Sequence, residues 1–166
     1  MSNQTVTLAG GCHCGAVRFQ CDVPANWQVL SCNCSMCSRT GYLHLIVPQG
    51  DFRLISGSED INTYTFNTGV ARHLFCRHCG VKSFYVPSSH PDCYSVNARC
   101  LDGVDPDALV VEPFDGKNWE AARERLWLCR RPRPGSPPSP ASRPTRQESG
   151  WTHPRSGCPD PWTALR

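Results

Sequence analysis

The residues predict an all-β domain. Short runs in which apolar and polar residues alternate recur along the chain, with Gly, Asn, Ser and Pro between them. One stretch near residue 120 has helical spacing instead, and no internal repeat of about 20–50 residues interrupts the pattern. Cysteine is the second signal. Twelve occur in 166 residues, far more than a core of 39% apolar content needs for packing, so something must hold them.

Taken in order, the strand-like segments are AVRFQC (16–21), LHLIVP (43–48), FRLIS (52–56), INTYTF (61–66), RHLFC (72–76), KSFYV (82–86) and CYSVNARC (93–100). Their regular spacing favours sheets packed on one another. GKNWEAARERLWLC (116–129) places Trp119, Leu126 and Trp127 partly on one helical face, and the Arg-Pro run beyond it ends the helix. From residue 130 the composition changes: nine of the fifteen prolines lie there, in runs such as RPRPGSPPSPASRPTR, and no periodicity remains. Disorder is expected for 130–166, and a folded domain for 8–129.

Seven cysteines fall into three tight groups: Cys12 and Cys14; Cys32, Cys34 and Cys37; Cys76 and Cys79. The start, MSNQTVTLAGG, has no basic segment followed by an apolar run, so no secretory leader is expected. In a reducing compartment such thiolates bind metal rather than pair as disulfides, and tetrahedral zinc takes four of them. Two pairs supply four ligands and a triplet supplies three. One grouping joins Cys12/Cys14 to Cys76/Cys79 across more than sixty residues, and leaves Cys32, Cys34 and Cys37 with an open fourth position, the pattern of catalytic zinc. Spacing equally permits Cys12/Cys14 to join two members of the triplet. A thioredoxin-like reading of Cys76-x-x-Cys79 lacks its βαβ context. Cys21, Cys93, Cys100 and Cys129 read as small buried hydrophobes, and His13 and His78 as exposed residues inside the turns. Gly15 and Gly80 suit the tight turn that follows such a pair.

Charge argues against a nucleic-acid partner for the folded part. The whole chain carries +3, but 130–166 carries +5, so residues 1–129 carry −2. No apolar run is long enough to span a membrane as a helix. A cytoplasmic location is expected, with the nucleus as the alternative.

At GGCHCGAVRF (10–19), CNCSMC (32–37), TYTFNTG (63–69), FCRHCGVKSFY (75–85) and FDGKNWE (114–120), the chain resembles the glutathione-dependent formaldehyde-activating (GFA) family, and within it the branch containing centromere protein V. The resemblance runs from about residue 8 to about residue 128. It implies a β-tent of antiparallel sheets with two zinc ions. Cys12, Cys14, Cys76 and Cys79 match the structural-zinc positions, and Cys32, Cys34 and Cys37 the catalytic-zinc positions. The implied activity is that of a carbon–sulfur lyase run in the direction of synthesis, joining glutathione or another small thiol to formaldehyde. The rival reading is a zinc-stabilised interaction module without catalysis. Three thiolates give a zinc site a net charge of −1, and a thiol substrate adds another, so a nearby cation is expected; Arg39, Arg77 and Lys82 are the candidates.

Overall fold

The computed structural model describes residues 4–122. Among them, ten strands form three sheets. The first sheet holds β1 (Thr5–Gly11), β2 (Arg18–Pro24) and β5 (Phe52–Ser56), in the order β1-β2-β5 and antiparallel throughout. The second holds β3 (Val29–Cys32), β4 (Leu43–Pro48), β8 (Phe84–Tyr85), β9 (Cys93–Asn97) and β10 (Val111–Phe114), in the order β10-β3-β4-β9-β8. The third pairs β6 (Ile61–Tyr64) with β7 (His73–Cys76). One complete α-helix, α1 (Ser35–Thr40), and the first residues of a second, at 119–122, lie among the described residues.

The all-β expectation holds, with one departure from antiparallel pairing: β10 runs parallel to β3, Phe114 opposite Cys32. A strand that returns after the whole of residues 33–110 is not bound by hairpin geometry, and it docks on the free edge of β3 in the direction the crossover permits. The expected helix over 116–129 begins as a 3-10 turn, Gly116–Asn118, and becomes α-helical from Trp119. Its residues beyond 122, Cys129 and the whole of 130–166 lie outside the described residues.

Strand alternation builds the core. In β2, Phe19, Cys21 and Val23 point inward while Arg18, Gln20 and Asp22 point out. Phe19 stacks on Phe52 at 5.5 Å, Phe52 meets Tyr94 at 4.3 Å, and Phe84 sits edge-on to Phe19 and Tyr94, so the first two sheets face each other through aromatic rings. Each fully buried apolar side chain here contributes about 1.5–3 kcal/mol.

The central strand β4 is buried on both faces. Leu43, Leu45 and Val47 join the aromatic core, whereas His44 and Ile46, one residue out of phase, face a cavity on the other side. Register carries that division across the sheet: Leu45 lies opposite Val96 and Val96 opposite Phe84 on the core side, while Ile46 lies opposite Ser95 and Ser95 opposite Tyr85 on the cavity side. One face of the second sheet is therefore dry core and the other is lined by histidine, tyrosine and cysteine. No helix among the described residues is long and apolar enough to cross a membrane.

Candidate metal centres and the adjoining cavity

The structure brings the sulfurs of Cys12, Cys14, Cys76 and Cys79 within 4.8 Å of one another, and those of Cys32, Cys34 and Cys37 likewise. The alternative that joined Cys12/Cys14 to the triplet is not the arrangement found. Cys12 Sγ lies 3.5 Å from Cys14 Sγ, and Cys14 Sγ lies 3.6 Å from Cys76 Sγ. Those separations are too long for disulfides and close to the edge, about 3.8 Å, of a tetrahedron of sulfurs around zinc. Donor type, number and spacing thus fit a tetrahedral metal ion.

Local chain geometry explains the four-sulfur cluster. Gly15 (φ 80°) and Gly80 (φ 73°) take the left-handed conformation that reverses the chain after each pair, and their amides bond back to the carbonyls of Cys12 and Cys76. Val17 N–H donates to Cys12 Sγ at 3.3 Å, which stabilises a thiolate. Pairing of β6 with β7 sets Cys76 opposite Ile61 at the root of the second turn. His13 and His78 are exposed as expected, and His78 pairs with Asp60 at 2.7 Å.

The triplet spans a strand end and a short helix. Cys32 ends β3, Cys34 caps α1 by accepting from Cys37 N–H at 3.5 Å, and Cys37 is buried within that helix. Gly41 at φ 57° closes the helix. Contact with Cys32 and Cys37 pulls the Cys34 thiol well below the ordinary thiol range, while Cys32 and Cys34 push Cys37 well above it. Three sulfurs this close cannot all be thiolates without a cation among them, so this donor set also fits a metal ion. It supplies three ligands, and no fourth Cys, His, Asp or Glu atom joins the group among the described residues.

Two features that the sequence reading missed hold the triplet. Asn33 donates through Nδ2 to Asp115 at 2.8 Å and accepts from Lys117 N–H at 2.9 Å, clamping the 115–118 turn beside the sulfurs. Gly116 packs so closely that a Cβ there would collide with Cys32 Sγ and stand 3.1 Å from Cys34 Cβ.

A cavity of about 150 Å³ adjoins the three sulfurs, walled by Leu30, Ile46, Phe66, Tyr85, Phe114 and Trp119 among others. His44 and His73 line it, and each is only 6% exposed. Their Nδ1 atoms are occupied: His44 Nδ1 lies 3.0 Å from Ser95 Oγ and 3.4 Å from Tyr85 Oη, and His73 Nδ1 lies 2.8 Å from Lys82 Nζ. Their Nε2 atoms are buried without a hydrogen-bond partner. A buried donor left so costs about 1–3 kcal/mol. Burial first, and then the charge of Lys82, lowers both imidazoles to about 4, so both are neutral near pH 7.

Of the three expected cations, Lys82 is the one in the interior. Its ammonium sits 3.9 Å from the Tyr85 ring centroid and 4.7 Å from that of Tyr42, and burial lowers it to about 8. Arg39 instead bonds the Ser35 carbonyl and Arg77 the Glu59 carbonyl, both on the exposed surface. A second, more open groove of about 500 Å³ shares Cys34, Phe66, Gly116 and Trp119 with the cavity and adds Ser35, Asn67, Thr68 and Lys117.

Comparison with known proteins fits this arrangement. The family model described as "GFA: Glutathione-dependent formaldehyde-activating enzyme" matches residues 7–114. The chain belongs to the GFA family. A Halomonas elongata protein named "Putative glutathione-dependent formaldehyde-activating enzyme" is 28% identical over 103 residues, which cover 57% of this chain and 66% of that protein. The match thus spans just under two thirds of that relative's length. A crystal structure of a Rhodobacter sphaeroides protein superposes with a TM-score of 0.59 at 36% identity, covering 63% of this chain and 97% of that one. Every cysteine of both clusters lies inside the GFA match, whereas Trp119 and the turn beyond Phe114 lie just outside it.

Proposed function

We propose that this GFA protein is a zinc-dependent carbon–sulfur lyase of the S-hydroxymethylglutathione synthase type, which condenses glutathione with formaldehyde in the cytoplasm. The observation that carries the reading is the triplet of sulfurs opening onto a partly open, largely apolar cavity. Cys12, Cys14, Cys76 and Cys79 hold a structural zinc, and Cys32, Cys34 and Cys37 hold the catalytic one.

A thiol is mostly protonated at neutral pH, and its thiolate is the nucleophile. When bound at the triplet, zinc supplies a position at which a thiol gives up its proton. The chain's own residues do the rest. Asn33 and Asp115 fix the turn beside the sulfurs, so the entrance keeps its shape. Lys82 places a positive charge against His73 and Tyr85 of the cavity wall, where it offsets the thiolates. Lys117, with Asn67, Thr68 and Ser35, offers the outer groove a cation and hydrogen-bonding groups suited to the carboxylates and amides of glutathione. Phe66, Tyr85 and Trp119 keep bulk water from the reacting carbon.

The test is the rate of adduct formation from glutathione and formaldehyde, with purified wild type, with Cys34→Ser, and with no protein. The wild type should accelerate the reaction above the spontaneous rate, and Cys34→Ser should not. Cys34→Ser should also keep its fold and one zinc of two. Equal rates with and without wild type overturn the enzyme reading. That outcome would favour the rival, a zinc-stabilised interaction module of the centromere protein V-like branch, to which the arginine-rich composition of 130–166 is suited.

A further inference from the structure

Two buried imidazoles lie beside the triplet with one nitrogen each unaccounted for. His73 is the better defined. Its ring is sandwiched between Phe66 and Tyr85, at 5.3 Å and 5.1 Å and within 18° of parallel to both. The Lys82 ammonium has only protons to give, so at 2.8 Å it makes His73 Nδ1 an acceptor and leaves the ring proton on Nε2. His44 Nδ1 faces two hydroxyls, Ser95 Oγ and Tyr85 Oη, which can donate to it or accept from it; when they donate, its ring proton is on Nε2 as well. The Nε2–H of His73 is thus a fixed, buried donor without a partner, and His44 Nε2 is a second buried, unpartnered ring nitrogen, both on residues that line the cavity. Buried donors of this kind mark the place of an acceptor that arrives with a ligand.

We propose that His44 and His73 form the seat for the aldehyde oxygen, their Nε2–H groups donating to it as it changes from carbonyl to alkoxide. The assignment rests on the GFA-type reaction proposed above and adds its carbonyl-binding residues. In the step, the glutathione sulfur donates an electron pair to the carbonyl carbon and the C–S bond forms. The C–O π pair moves to oxygen, where the two donors stabilise the charge. The proton that the thiol released to water returns from water to that oxygen, giving S-hydroxymethylglutathione. A cavity of about 150 Å³ holds a molecule no larger than benzene. The substrate class is therefore formaldehyde and very small aldehydes, with the body of the thiol outside in the larger groove.

Isosteric variants separate donation from packing. Gln carries its amide nitrogen near the position of imidazole Nε2, whereas Asn reaches only as far as Nδ1. In His44→Asn and His73→Asn the KM for formaldehyde should rise about tenfold or more while glutathione affinity stays within about twofold, and His44→Gln and His73→Gln should recover most of the loss. A second readout needs no variant. In 15N-histidine spectra of the zinc-loaded wild type, glutathione with formaldehyde should shift the Nε2 signals of His44 and His73. S-ethylglutathione, with a methyl where the adduct has its hydroxyl, should not. Unshifted signals in a protein that binds the adduct, or Asn variants with unchanged formaldehyde KM, overturn the histidine seat and leave the enzyme reading standing. A wild type that binds neither glutathione nor its adduct overturns both.

Discussion

Cys12, Cys14, Cys76 and Cys79 come from two turns more than sixty residues apart, whereas Cys32, Cys34 and Cys37 lie within six consecutive residues. The first cluster joins the turn after β1 to the turn after β7, so metal there closes a long loop in a domain whose core is modest. The second ties a strand end to a helix of one and a half turns and constrains little beyond itself. Around the first, backbone folds back on sulfur; around the second, side chains from β4, β7 and β8 stand back to leave a cavity. Four donors that span the fold are placed to act as a staple, and three donors beside a cavity are placed to leave a ligand position open. The difference lies in where the ligands come from as much as in how many there are.

The most severe way to break the contrast is to remove a ligand from the staple. Cys76→Ser should abolish cooperative unfolding and release both metals, because structural zinc supplies about 10–16 kcal/mol of apparent folding energy in small domains. Thermal denaturation with elemental analysis reads this directly, and a folded Cys76→Ser would refute the staple. Gly116→Ala acts on the other site alone. Its Cβ would drive into Cys32 Sγ, so affinity for the second zinc should fall about 10–100-fold by competition with a chelator, with the first zinc and the melting temperature little changed. Smallest is Cys21→Ala. Cys21 is fully buried in β2 but belongs to neither cluster, so the change should cost about 1 kcal/mol in urea unfolding and leave zinc stoichiometry at two. Loss of metal in Cys21→Ala would show that cluster membership has been drawn too narrowly.

Where alternation was strong the sequence was legible to the residue. LHLIVP and FRLIS are β4 and β5 with the bounds expected. Other strands were hidden by the features that make them useful. β1 ends in Gly10 and Gly11, which weaken a strand pattern, yet a Cβ at Gly10 would collide with the Cys100 carbonyl oxygen and strike the Phe19 ring. β10 contains Pro113, which argues against a strand unless it lies at a sheet edge, as it does. β3 and α1 have four and six residues, too few to show a period. The two pairs and the triplet were legible because cysteine spacing is a local property, but which pairs converge was not, since Cys12/Cys14 and Cys76/Cys79 meet only through the fold. The cavity was not, since His44 and His73 are single residues inside apolar runs and meet only through the pairing of distant strands. Their one visible trace is a polar residue interrupting LHLIVP and RHLFC.

The parallel docking of β10 against β3 also sets an order in time. Cys79 is the last residue the four-sulfur cluster needs, whereas the wall of the triplet's cavity is not complete until Phe114, Gly116 and Trp119 have been made. About 40 residues separate these points, or about 2 to 8 s of synthesis at ordinary rates. On the ribosome, the four-sulfur cluster can assemble while the triplet is still an open edge accessible to the cell's metal supply, and the rest of the cavity wall is added afterwards.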